Sequence, residues 1–385
     1  MSNTIFSRRE LATQMAEQIL HPTPLTEIFH SGLFLSGLRR IGKTTFIKHD
    51  LIPALEQLGA IVIYVDLWSD VKANPRQLVM AAIQKELTEL QTPASSLARK
   101  LAGIRGIDVD ALGFKFGINL AAVGSEGGPS LLDAMLEVID TARTHVVLIV
   151  DEVQQAITTE EGHNLLLALK AVRDAVNIRP LTPGKFIFIG TGSHRAMVGE
   201  LVARRNQAFQ GAHSMEFPVL GADYVSHVLG LLSESGVTGL PRLDVALSAF
   251  QTLGCRPEEF KKALIQLVQN RSPELPTDIA LPLIAATLRG AAADVEIRRL
   301  EDLGELAVAI FDKIASSEEA QRGLFSAEAA ADYTNQLGRT VQIGELQPVV
   351  NAMLDENLIM RRGHGVYTVT DPFVKTVWQE RKRLS

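Results

Sequence analysis

The chain has 385 residues, 46% of them hydrophobic and 21% charged, with a formal net charge of −6. That length supports two or three domains with large cores and excludes a disordered or supercharged polypeptide. The mildly acidic balance gives no global attraction to nucleic acid or to an anionic membrane, and the single Cys255 excludes an internal disulfide framework.

Residues 1–30 read as a helical strap, with Leu11, Met15 and Ile19 on one face and His21-Pro22-Thr23-Pro24 as its stop. Nothing from Met1 to Glu10 forms the apolar core of a signal peptide, and no apolar run is long enough to cross a membrane. The expectation is a soluble cytoplasmic protein.

From 31 to 219, short apolar runs alternate with helical patterns, which predicts a mostly parallel sheet. The runs are Leu33–Leu35, Ile61–Val65, Val146–Val150, Phe186–Ile189 and a weaker Met215–Val219. Their lack of alternation suits strands covered on both faces. Between the second and third, Gly113–Leu120 and Gly124–Pro129 read as a small hairpin or an inserted loop.

Ser36-Gly37-Leu38-Arg39-Arg40-Ile41-Gly42-Lys43-Thr44-Thr45 follows the first run and opens a helical segment that reaches Pro53. It fits the phosphate-binding pattern G-x-x-x-x-G-K-[ST] without a mismatch, in the strand–loop–helix setting that pattern needs. Glycine at 37 and 42 lets successive main-chain N–H groups converge on a phosphate, and the helix start adds donors and partial positive charge. Lys43 reaches the β- and γ-phosphates, and the Thr44 hydroxyl ligates Mg2+. Gly37, Arg40, Gly42, Lys43, Thr44 and Thr45 are the expected ATP-binding residues. The absence of an N-K-x-D segment favours ATP over GTP.

Val146–Val150 ends in Asp151-Glu152, so Asp151 belongs at the carboxyl end of a buried strand, where ligands sit in open α/β sheets. Asp151 is expected in the Mg2+ shell with Thr44, and Glu152 as the group that polarises the attacking water. The run Phe186–Ile189 ends in Gly190-Thr191-Gly192-Ser193-His194. Ser193 or Thr191, and less readily His194, would orient that water; a helix N-cap is the alternative for Ser193. Arg204 and Arg205 precede the last run, either as an arginine finger acting in trans or as a solvated helix end.

From 220 to 300 the pattern is helical, a lid. Gly254-Cys255-Arg256-Pro257 starts a helix there, and Arg256 either closes onto the nucleotide or packs on the surface. Residues 301–385 form a separate unit. Helices are predicted at Glu305–Ser316, Ser326–Leu337 and Ile343–Asn357, and strands at Leu358–Arg361 and Val366–Thr370. Three helices and a two-stranded ribbon make a winged-helix pattern.

These stretches resemble the AAA+-like P-loop ATPases of the archaeal-ATPase group, near the STAND and origin-recognition (Orc-type) proteins. The resemblance rests on Gly37–Thr44, Ile149–Glu152, Thr191–Ser193, Gly254–Pro257 and Tyr367–Phe373. It implies an ASCE/AAA+-like P-loop NTPase of α/β class: a parallel sheet in the order 5-1-4-3-2, a helical lid and a C-terminal winged-helix domain. It also implies that nucleotide state controls assembly or partner binding. The segment Phe6–Leu11 resembles the family's N-terminal piece beside the adenine, but it lacks the fuller acidic and glycine box that the family often has there, so the resemblance does not carry an adenine contact over to Ile5 or Phe6.

Orc-type relatives use the winged helix on DNA. Here residues 305–385 hold nine Lys and Arg against eleven Asp and Glu, and Ile343–Asn357 has no Lys or Arg at all. A helix meant for the major groove needs cations. The expected function is a slow, Mg2+-dependent ATPase switch that forms a homo-oligomer and contacts a partner protein through the winged helix, in a defence or mobile-element system. The alternative is a DNA-binding initiator or transposition-type ATPase.

Overall fold

In the computed structural model, the described residues are 5–70, 73–91, 117–119, 122–124, 127–157, 159–193, 195–203, 207–271, 274–317, 320–363 and 365–384. The chain divides into two compact units. One comprises Ser7–Gly37 and Lys43–Pro218; the other comprises Met1–Phe6, Leu38–Gly42 and Val219–Ser385. The Gly113–Leu120 patch lies mostly outside the described residues.

The first unit opens with α1 (Arg9–Leu20), whose Ala12, Met15, Ala16, Ile19 and Leu20 are buried. Strand β1 (Leu33–Ser36) follows, buried throughout. A continuous helix then runs from Lys43 to Gln57 as α2 (Lys43–Phe46), a π-helical stretch (Ile47–Leu51) and α3 (Ile52–Gln57). Pro53 does not end it. The wider π turn closes with the Ile52 N–H on the Ile47 carbonyl, and that shifted ladder precedes a proline that has no N–H to offer.

Next come β2 (Ile61–Asp66), α4 (Pro75–Gln91), α5 (Leu131–Ala142), β3 (Val146–Asp151), α6 (Glu160–Asn177), β4 (Phe186–Gly192), α7 (Arg195–Ala203) and β5 (His213–Glu216). The five strands are parallel in the order β2-β3-β4-β1-β5, which is the expected order counted from the other edge. β3 and β4 are buried at every position, as strands covered on both faces must be. β5 differs from its sequence reading: it starts at His213, ends before Phe217 and alternates between partial burial and exposure. It is an edge strand, covered on fewer sides, and Pro218 cannot continue the ladder.

Behind the sheet, Phe188 stacks on Phe209 with ring centroids 4.3 Å apart, and Phe34 meets Phe209 at 5.4 Å. A Cβ on Gly190 would come within 2.7 Å of the Phe34 ring, so β4 needs glycine to let that aromatic cluster close.

In the second unit, α8 (Ala222–Glu234), α9 (Leu243–Thr252), α10 (Pro257–Gln269) and α11 (Thr277–Asp302) come first. Tyr224, Phe250, Phe260, Leu264, Leu281 and Ala285 form their shared core. The 26-residue α11 then carries Ala293, Ile297 and Leu300 into a second core. That core belongs to α12 (Glu305–Ser316), α13 (Ala327–Leu337), α14 (Ile343–Asp355), the antiparallel pair β6 (Ile359–Gly363) and β7 (Val366–Val369), and α15 (Pro372–Leu384). Sequence patterning missed α15. It is pinned by apolar and ionic contacts together: Trp378 packs edge-on to Phe311 and donates to Asp312 at 2.8 Å, while Arg289 pairs with Glu380 and Arg381 with Asp294. No helix among the described residues is long and apolar enough to cross a membrane.

Candidate nucleotide site

The sheet of the first unit delivers three polar strand ends side by side. β1 ends at Ser36, and the Gly37 N–H donates to the Gly192 carbonyl at the end of β4, 3.1 Å away. β3, next to β4, ends at Asp151.

The loop after Gly37 takes left-handed backbone at Arg40 (φ 66°) and Gly42 (φ 93°). Among the described residues, a Cβ on Gly42 would meet only Leu220 Cδ1, at 3.9 Å, so it is the backbone angle and not crowding that calls for glycine. The Arg40 guanidinium lies 3.5 Å from Glu259 and 3.9 Å from Glu258 at the start of α10. Arg40 and Glu258 are both well exposed, which makes that contact weak; Glu259 is mostly buried.

The Lys43 ammonium is buried and donates to the Gly37 carbonyl at 2.6 Å. Thr44 turns its hydroxyl to Asp151, donating to Oδ2 at 2.7 Å. Thr45, one residue on, is exposed.

Asp151 is buried, and its carboxylate accepts four hydrogen bonds from the described residues. Oδ2 takes the Thr44 hydroxyl and the Tyr64 hydroxyl, the latter at 3.0 Å. Oδ1 takes the Thr191 hydroxyl and, at 3.1 Å, the Glu152 N–H. Burial first, then the charges of Asp151 and Asp66, push the Tyr64 phenol well above its ordinary value, so it remains a donor.

Glu152 has φ 56°, a costly backbone for a residue with a Cβ and one that clusters at functional sites. Its Oε2 accepts from the Ser193 hydroxyl at 2.8 Å, from the Ser193 N–H at 3.2 Å and from Gln154 Nε2. Gln154 and Ser193 are both buried. The Gln154 amide oxygen is buried without a hydrogen-bond partner among the described residues.

Lys43, Thr44, Asp151, Glu152, Thr191 and Ser193 are therefore brought together. His194, Arg204 and Arg205 lie outside the described residues. Arg256 pairs with Asp371 and stacks over Phe373, 5.1 Å from the ring centroid. Phe6 packs edge-on against Tyr224 at 5.6 Å and tilted against His227 at 5.3 Å. The strap beside it is anchored in the first unit: Ser7 donates to Asp50 at 2.6 Å, and Arg8 donates to the Pro218 carbonyl at 2.7 Å. Two residues escaped the sequence reading. Tyr64 had a signal, as a hydroxyl within the otherwise aliphatic run Ile61–Val65. Gln154 had none beyond standing two residues after Glu152.

The donor set fits a Mg·nucleotide. A buried ammonium sits at a helix start, directly after a loop with left-handed backbone in the sequence, and a hydroxyl and a carboxylate converge within 2.7 Å. These are hard oxygen ligands of the kind Mg2+ takes.

Comparison with known proteins agrees with the fold. Residues 30–198 match the AAA domain family. A Walker-type ATPase of Pyrococcus abyssi is similar in fold, with TM-score 0.58 and 18% identity over 98% of this chain and 97% of that one. The ORC2 protein of Aeropyrum pernix in its ADP form has TM-score 0.56 and 12% identity, covering 100% of this chain and 97% of that one. Its ADPNP-ADP complexes give TM-score 0.53 and 12% identity, with 99% and 96% covered. Among curated proteins, none matches the sequence.

Proposed function

With an AAA domain at residues 30–198 in the fold of an AAA+-like P-loop ATPase, we propose that this chain binds and hydrolyses Mg·ATP and passes its nucleotide state to other protein chains. The observation that carries the reading is the Thr44–Asp151 hydrogen bond of 2.7 Å, made across 107 residues beside the buried Lys43. It joins the two motifs that together define ATP-hydrolysing P-loop sites.

Gly37, Arg40, Gly42, Lys43, Thr44 and Thr45 form the proposed phosphate cradle. Lys43 offsets charge on the β- and γ-phosphates. Thr44 and Asp151 hold the Mg2+, which when bound neutralises charge on the phosphate oxygens. Glu152 takes the proton of the attacking water. Its Oε2 is occupied by Ser193 and Gln154, so Oε1 is the proton acceptor. Thr191 fixes Asp151 from the far side, and Arg256 is the proposed lid contact to the nucleotide.

Assembly is the second part of the proposal. Arg204 or Arg205 completes a neighbour's site as a finger, and the C-terminal three-helix and ribbon unit, read as a winged helix, carries the partner contact. A protein partner is favoured over DNA by the charges. Of the basic tail, Arg381 is engaged by Asp294 and Lys382 by Asp312, and α14 contains no cation. A salt-dependent gel shift with and without ATP tests the DNA alternative.

Calorimetry with Lys43→Ala tests the core of the reading. Loss of ATP binding in a folded protein is expected. Parent-like affinity would remove the phosphate loop from the function.

A further inference from the structure

Tyr64 stands on β2, where it pairs in register with Ile149, while Asp66 pairs with Asp151. It is thus two residues behind the end of its strand, on the face that carries Asp151. From there its hydroxyl crosses to Asp151 Oδ2, 3.0 Å away, the same oxygen that accepts from Thr44. The face of its ring receives the Lys48 ammonium, 4.7 Å from the centroid. Lys48 follows Thr44 by four residues on the same continuous helix, so both side chains lie on one helical face. Thr44, Asp151, Tyr64 and Lys48 form a closed circuit. It runs from the phosphate-loop helix to β3, across to β2 and back to the helix.

We propose that Tyr64 is a positioning residue for Asp151, holding Oδ2 beside the Thr44 hydroxyl so that the two oxygens meet Mg2+ as a preformed pair. The inference rests on the ATP reading above. Packing alone does not explain the residue. Val62, the preceding residue on the same face of β2, is a buried aliphatic, and a phenylalanine would fill the same volume as the tyrosine. What the tyrosine adds is one donor aimed at one carboxylate oxygen. Groups of this kind behind a metal ligand change metal affinity by roughly 10- to 100-fold when removed.

The test is Tyr64→Phe, which keeps the ring and its contact with Lys48. Binding of a non-hydrolysable ATP analogue is measured by calorimetry in EDTA and across a Mg2+ titration. Parent-like affinity in EDTA is expected, together with a Mg2+ midpoint raised about tenfold. ATPase activity should recover as Mg2+ is raised, giving a change in Mg2+ dependence and not in maximal rate. A Mg2+ midpoint equal to the parent's would overturn the proposal while leaving the ATP site standing. A parent-like affinity lost equally in EDTA and in Mg2+ would assign Tyr64 to packing, again against the proposal. If Lys43→Ala binds the analogue normally, it is the ATP reading that falls, and this inference with it.

Discussion

Ser193 closes on a single oxygen of Glu152 with two donors, its hydroxyl at 2.8 Å and its main-chain N–H at 3.2 Å. The end of β4 thereby dictates where the carboxylate after β3 points. Glu152→Gln preserves the shape and removes the base, so ATP should still bind while turnover falls by roughly 10²-fold or more. Ser193→Ala removes one of the two donors and leaves the N–H. A smaller loss is expected, about tenfold, with nucleotide affinity unchanged. Single-turnover hydrolysis beside equilibrium binding separates the two effects, and parent-rate hydrolysis by Glu152→Gln would show that another group activates the water.

Gly192 gives a second handle on the same carboxylate. A Cβ there would run into the Gln154 amide oxygen and sit 2.5 Å from Val198 Cγ2. The Gln154 amide, at the end of a long side chain, can swing aside, but Val198 is fully buried and stiff at χ1, so Gly192→Ala should cost about 1–3 kcal/mol in overpacking. Gln154, pushed aside, would lose its hold on Glu152. We expect a drop in kcat larger than any change in KM for ATP. A variant with parent kcat and a shifted denaturation midpoint would show that Gln154 serves packing only.

How much of this was legible beforehand follows from range in sequence. Gly37–Thr44 and Val146–Glu152 are contiguous, and their chemistry is written in residue type and spacing. The buried runs gave four strands closely, because strands covered on both faces are uniformly apolar. β5 carries no such run, because its residues alternate between partial burial and exposure. Tyr64 and Asp371 act through partners 87 and 115 residues away, and Gln154 also reaches Ser193, 39 residues away; a side chain crossing between strands or helices leaves no local pattern. The helix after Pro372 escaped for another reason: its mean hydropathy is low, and Asp294, Asp312 and Glu380 supply much of its anchorage by charge.

At the other end of the sheet, His30 is partly buried, and its Nε2 is 3.0 Å from the Ile19 carbonyl. Burial holds its pKa below the ordinary value; the nearby Lys185 acts in the same direction, while the Ile19 contact and Glu27 oppose it. Since the unfolded imidazole binds a proton first as pH falls, the unfolded state gains protons over the folded one below about 6.5. Stability from this group is complete above that pH and is lost as pH drops toward the lowered folded value. His30→Gln keeps an N–H for the Ile19 carbonyl without a titration. Urea midpoints between pH 7.5 and 5.5 should fall more steeply for the parent than for the variant. Parallel slopes would mean that other groups set the acid limit.

Arg256 carries two assignments that a pair of variants can separate. Gly254 and Cys255, at φ 69° and 53°, turn the chain sharply before it. Its guanidinium then pairs with Asp371 and covers Phe373, with both charged side chains mostly buried. Asp371 also accepts the Phe373 N–H at 3.1 Å as α15 begins. Removing either charge leaves a partly desolvated partner, at a cost of about 1–3 kcal/mol. Arg256→Ala and Asp371→Asn should therefore destabilise by similar amounts, and the double variant by little more than either alone. Nucleotide binding distinguishes them. If Arg256 also contacts ATP, Arg256→Ala should weaken affinity about tenfold, the worth of one charge-assisted hydrogen bond. Asp371→Asn leaves the guanidinium in place and should bind ATP at least as well as the parent. Equal ATP affinity in all three proteins would confine Arg256 to the link between α10 and α15 and remove it from the nucleotide site.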